Sequence, residues 1–224
     1  MVKLTRESEP TTGRPSGKTR IREAAQEAIV EHGFDLAASR NITSAAGVST
    51  SLLFYHYSSL EECLIDAVET SVQEVDERLE IALEGVTDPV DRARLLVEWN
   101  LPSSPTQRRE WLLTFEFVRA ALRVQSVEHV AARQYTRWHQ TVVNEYRTID
   151  TAMPPHDAAT SAHRLLGLAE GLSWQLILAN PGLSEQRVRE ILSGTVASDL
   201  KLASEALIGP TDHLTARLAI IRGE

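Results

Sequence analysis

The sequence predicts an all-α protein, with a three-helix N-terminal domain containing a helix-turn-helix and a larger helical domain behind it. Apolar side chains recur at the three- and four-residue spacing of helices, and no segment alternates in the manner of a strand. Glycine and proline interrupt that pattern about once per helix length. Two short helical segments meet at Gly47, just ahead of a capping serine, Ser49.

Residues 1–17 hold Pro10, Gly13, Pro15 and Gly17 with few apolar side chains, which predicts a flexible arm. The first helix runs from about Lys18 to His32, with Ile21, Ala25, Ala28 and Ile29 on one face and Gly33 as its stop. A second, from about Ala38 to Ala46, carries Ile42 and Ala45 inward, and a third follows Ser49 to about Tyr57. Ser58 with Glu61, and Ser59 with Glu62, have capping-box spacing for a long fourth helix. Its stripe is Leu64, Val68, Val72, Val75, Leu79 and Leu83, ending at Gly85.

Asp88-Pro89 opens a helix to about Asn100, and Pro102 and Pro105 break the chain after it. Further helices are expected near 107–124, 127–149, 157–180 and 185–208, with a short terminal one in 211–224. The domain boundaries are therefore 1–17 for the arm, 18–64 for the head and 65–224 for the body.

The net charge of −8 is unevenly placed. Lys3, Arg6, Arg14, Lys18, Arg20 and Arg22 against Glu7 and Glu9 give +4 over residues 1–22, leaving −12 on the rest. A basic arm on an acidic body aims one end of the molecule at phosphates. A single cysteine, Cys63, excludes an internal disulfide, no run of 18 apolar residues suggests a membrane span, and the N-terminus lacks a secretory pattern. A cytoplasmic protein with no membrane association is expected.

In the stretch Ser39 to Tyr57, Gly47 takes the backbone conformation that ends a helix, Val48 plugs the turn and Ser49 caps the next helix. That third helix then offers Thr50, Ser51, Phe54, Tyr55 and His56, side chains that hydrogen-bond and stack in a major groove and on its phosphate rims. By geometry alone the segment is also compatible with an ordinary helical hairpin. The run Ala46-Gly47-Val48-Ser49 followed by Leu53-Phe54-Tyr55-His56-Tyr57 resembles the head of the TetR family of transcriptional regulators over residues 18–68.

That resemblance implies a homodimer on a palindromic double-stranded DNA operator. It implies base contact from Arg40 near the start of the second helix, beside Ser39, and from Thr50 and Ser51 at the start of the recognition helix. Tyr55 and His56 match phosphate-binding positions, and Lys18 and Arg20 match the part of the arm that approaches the backbone or minor groove. Phe54 stands where a tyrosine is common and Leu60 where many members place a lysine, so an atypical contact set is expected.

The four tryptophans, Trp99, Trp111, Trp138 and Trp174, all lie in the body. Residues 85–207 are similar, by pattern, to the C-terminal domain of BetI-type regulators, which implies a small-molecule effector pocket. Its candidate residues are Trp99, Trp111, Phe115, Glu116, Trp138, Trp174 and Gln175. Glu116 either orients a ligand, as a carboxylate beside aromatic rings would orient a cation, or pairs with Arg119 or Arg123 at helical spacing. The helices near 157–180 and 185–207 are apolar enough to form a four-helix bundle with those of a second copy.

No two of the seven histidines stand four residues apart, and no phosphate loop or nucleophile motif is present, so neither an enzyme nor a cofactor is expected. An effector-released repressor is the leading reading. An activator, or a regulator controlled by a protein partner, has the same architecture.

Overall fold

In a computed structural model, residues 15–209 and 211–224 are described. Within them the secondary structure is helical. The head comprises α1 (Gly17–His32), α2 (Ser39–Ala46) and α3 (Thr50–His56), and α4 (Leu60–Leu83) runs from it into the body. The body adds α5 (Pro89–Trp99), α6 (Pro105–Ala121), α7 (Gln125–Ile149), α8 (Pro155–Ile177), α9 (Glu185–Leu200), α10 (Ser204–Ile208) and α11 (Thr215–Arg222). No helix among the described residues is long and apolar enough to cross a membrane.

Local chemistry explains the starts. Ser16, Ser49, Ser59, Asp88, Ser104 and Ser184 each accept a hydrogen bond from a backbone N–H in the first turn of the helix they precede. Pro89, Pro105 and Pro155 open their helices, where a missing N–H costs nothing.

Two details differ from the sequence reading. The second helix buries Ile42, Thr43 and Ala46, leaving Ala45 exposed. Its first residue is Ser39, not Ala38, and Thr43 is drawn inward by donating from Oγ1 to the Ser39 carbonyl at 2.9 Å. The helix expected at 185–208 is broken: Lys201 sits in the left-handed region at φ 55°, closing α9 before α10 begins at Ser204. No glycine or proline marks that break, and Leu200 and Leu207 on its two sides are both buried in the core.

The apolar interior falls into two clusters. One holds Ile21, Ile29, Phe34, Ile42, Leu53, Tyr57, Leu64 and Val68 of the head together with Leu113, Phe117, Ala120 and Val127 of α6 and α7. Phe34 and Phe117 meet edge to face at 5.8 Å across the junction. The other joins the lower half of α4 to α5, α7, α8, α9 and α11. The head is thus packed on α6 as well as continued by α4.

That junction is tightly built. Gly33 has φ +85°, a backbone conformation that favours glycine, and a Cβ there would lie 2.9 Å from Glu116 Oε2 and displace that side chain. Arg119 binds Glu116 at 2.8 Å and Asp35 at 3.1 Å, and Arg109 of α6 reaches Glu27 of α1 at 2.8 Å.

Candidate DNA-contact surface and effector cavity

The helix-turn-helix forms as its residues suggest. Gly47 adopts φ 61°, ψ 43°, and its N–H and that of Val48 bond back to the Ser44 and Thr43 carbonyls. Leu53 is fully buried behind α3. Thr50, Ser51, Phe54 and Tyr55 are exposed and share one face by helical spacing, Tyr55 being 81% accessible. Arg40 is exposed on α2.

Five other candidates are placed differently. Ser49 spends its hydroxyl on the cap, accepting from the Leu52 N–H at 3.1 Å. Ser39 is half-buried, and its carbonyl accepts from Thr43. His56 is half-buried, with its ring against Tyr55 at 5.2 Å. Lys18 lies 3.5 Å from Asp66 and over the Tyr57 ring. Arg20 donates from Nη1 to the carbonyls of Ala46 (2.7 Å) and Gly47 (3.3 Å), closing the C-terminus of α2. Lys3, Arg6 and Arg14 of the expected arm lie outside the described residues.

Arg20 therefore sets the position of the turn. Arg20→Met is expected to lower head stability by about 1–2 kcal/mol, the worth of charge-assisted hydrogen bonds, and to weaken DNA binding indirectly. Thermal melting of the variant without DNA checks this, since a pure phosphate contact would leave the melting temperature unchanged.

Tyr57 donates to Asp66 Oδ2 at 2.6 Å, and burial together with that carboxylate raises its pKa. Cys63 is fully buried, and burial pushes its thiol up to about 12, so it is an inert core residue.

The body holds a partly open cavity of about 100 Å³ between α4, α5, α6, α7 and α11. Trp99, Trp111 and Trp138 line it, as the sequence suggested, together with Val72, Val75 and Ile221. Trp111 meets Trp138 edge to face at 5.8 Å, and Trp99 Nε1 is satisfied by the Val75 carbonyl at 3.2 Å.

Phe115, Glu116, Trp174 and Gln175 do not line the cavity. Phe115 backs Trp111 at 5.4 Å and touches Trp174, which is 44% exposed on α8. Gln175 is exposed and bonds within α8 and to Asn180. Glu116 faces the head and pairs with Arg119, so of its two readings the ion pair is the one the fold adopts.

The polar lining is what the sequence reading missed. Asp76, Glu110, Arg78, Gln107 and Gln134 all reach the cavity. Arg78 grips Glu110 through both carboxylate oxygens at 2.6 and 2.7 Å. Arg137, itself half exposed, pairs with the buried Asp76 Oδ2 at 2.6 Å. The two carboxylates are matched by two guanidiniums, Arg78 in the lining and Arg137 at its outer side. Burial raises both carboxyl pKa values, with Arg137 and Arg78 only partly offsetting it.

Elsewhere, His139 and His163 bring ring nitrogens within 2.7 Å across α7 and α8. No group of three potential metal ligands occurs among the described residues.

A helix-turn-helix head with an exposed α3 face, mounted on a helical body that holds a cavity, is the architecture of a DNA-binding regulator. Residues 21–67 match the family model for bacterial regulatory proteins of the tetR family, and residues 89–201 match that for the C-terminal domain of BetI-type transcriptional repressors. The chain belongs to the TetR family of transcriptional regulators, a family of regulators and not of enzymes.

It is 23% identical over 182 residues to the HTH-type transcriptional regulator PksA of Bacillus subtilis (strain 168), covering 81% of this chain and 88% of that one. A transcriptional regulator from Saccharomonospora viridis, solved in complex with choline, is 26% identical with a TM-score of 0.72, covering 80% of this chain and 94% of that one. A regulator from Rhodococcus sp. shares the fold at 22% identity and TM-score 0.71, covering 83% and 97%.

Proposed function

We propose that this protein is a homodimeric repressor that binds a palindromic operator and releases it when a small organic cation enters the cavity. One observation carries the coupling: the cavity is framed by the two helices on which the head rests. From α4, Val72, Val75 and Asp76 face the cavity while Leu64 and Val68 belong to the head core. From α6, Glu110 and Trp111 face the cavity while Arg109, Phe117 and Arg119 hold the head. A ligand that favours one spacing of these helices also favours one spacing of the two heads.

The lining supports the ligand's charge. Burial leaves the Asp76 and Glu110 carboxylates with raised pKa values that a nearby positive charge would offset, and the tryptophan rings of the lining can supply cation–π attraction. The choline bound by the S. viridis regulator is a ligand of this class.

Choline is expected to raise the melting temperature at concentrations where its neutral isostere, 3,3-dimethyl-1-butanol, does not. Cation–π and charge terms of about 2 kcal/mol correspond to a roughly 30-fold preference. Equal stabilisation by the two would overturn the cationic assignment.

The pH dependence has a definite sign. A carboxyl whose pKa is raised by folding holds more protons than in the unfolded chain between the two titrations. The contribution of Asp76 and Glu110 to stability therefore falls as pH rises from about 4 through their raised values. A bound cation favours the ionised forms, so choline affinity is expected to grow over that same window and level off above it. Calorimetric titration at several pH values measures this.

A further inference from the structure

The C-terminal helix α11 lies beyond the segments that match the family models, at 21–67 and 89–201. It nevertheless completes the cavity. Ile221 is 1% exposed and is the one residue from this helix in the lining.

Two latches hold α11 in place. At its start, Arg217 Nη1 donates to the carbonyls of Ala82 (2.5 Å) and Glu84 (2.8 Å), closing the end of α4. At its end, Arg222 Nε donates to the buried Glu98 at 2.7 Å, and Ser104 Oγ donates to the Arg222 carbonyl at 2.6 Å. Burial alone would raise the Glu98 pKa, but Arg189 and the hydrogen bonds from Ser103, Arg189 and Arg222 outweigh it and hold the carboxyl below its ordinary value. Glu98 precedes Trp99, and its backbone carbonyl accepts from Gln107 Nε2 at 3.0 Å, so the latch is built into two other lining residues.

A wall fixed at both ends by charge-assisted bonds, presenting one branched apolar side chain to the cavity, acts as a stop. We infer that α11 is the size-determining wall of the effector cavity and that Ile221 limits the length of ligand it accepts. This rests on the effector-cavity reading above. The chemical class is a trimethylammonium head bearing a short alkyl or hydroxyalkyl chain, with the chain end against Ile221.

The test is a series of trimethylalkylammonium ions, from methyl to hexyl, titrated by calorimetry against the full chain. Wild type should favour the short members. Ile221→Ala should move the optimum to longer chains, with roughly tenfold tighter binding of a homologue two methylenes longer than the wild-type optimum. Ile221→Phe should fill the space and weaken every member. Leu218→Ala, a buried position on the same helix outside the lining, controls for general loosening of α11. It should lower the melting temperature and leave the order of preference unchanged.

A shift in order with Ile221→Ala but not with Leu218→Ala supports the inference. The same order in wild type and both alanine variants overturns it while leaving the effector cavity standing. Failure of every member, and of the neutral alcohol, to bind wild type overturns both readings together.

Discussion

Gly171→Arg is expected to convert the protein to a monomer and to weaken operator binding by about 10²–10⁴-fold, the gain that joining two half-site contacts provides. Gly167 and Gly171 stand four residues apart on the exposed face of α8, and a Cβ at either meets nothing within 4 Å in the single chain. Their small size serves no purpose inside the protomer. Trp174 on the same helix and Leu178 just after its end are exposed apolar side chains. On α9, Gly194 is likewise open, next to a half-buried Ile191.

A two-fold bundle of α8 and α9 would bury this surface and use the glycines for close approach. An arginine at Gly171 places a bulky charge where that approach occurs. The helix itself would gain, because glycine in a helix interior costs about 1 kcal/mol relative to better helix formers. Retained helical circular dichroism with a halved mass by light scattering is the expected pair of observations. A dimer of unchanged stability would remove α8 from the interface.

The second large effect is at the recognition surface. Arg40→Ala combined with Tyr55→Ala is expected to abolish preference for the operator over unrelated DNA while leaving the fold and effector binding intact. Both side chains are exposed, and neither supports the head core. Loss of a bidentate base contact removes about 1–3 kcal/mol of discrimination per half-site, counted twice in a dimer. Tyr55 matches a phosphate-binding position and is neutral, so its loss is expected to weaken binding to operator and unrelated DNA alike. Fluorescence anisotropy with operator and scrambled duplexes at several salt concentrations separates the two contributions. Undiminished discrimination would place the base-reading residues elsewhere on the head.

How far the sequence revealed these features depends on whether a feature is local. The turn at Gly47, the caps Ser49 and Ser59 and the apolar stripe of α4 are set by neighbouring residues, and all were legible. Arg20 was not. A basic residue just before a helix-turn-helix reads as a phosphate contact, yet its guanidinium folds back on carbonyls 26 and 27 residues away.

The cavity illustrates the same limit. Three tryptophans identified its apolar walls, but Asp76 lies beside the α4 stripe and reads as solvated until α7 brings Trp138 and Arg137 over it. Glu116 sits in an aromatic run and suggested a ligand contact. Its place in α6 turns it to the head, while Glu110, almost two turns earlier, faces the cavity. Ile221 carried no signal at all, since only the return of α11 onto α4 and α5 makes it a wall.

Control of DNA binding by cavity occupancy is open to one direct titration. A labelled duplex from the DNA flanking the gene is held in complex with the protein at fixed salt, and choline is added while anisotropy is followed. The expected result is sequence-dependent binding that choline reverses, with 3,3-dimethyl-1-butanol ineffective at the same concentration. Specific binding that no cation of this class alters, in a protein that calorimetry shows to be loaded with choline, would contradict it.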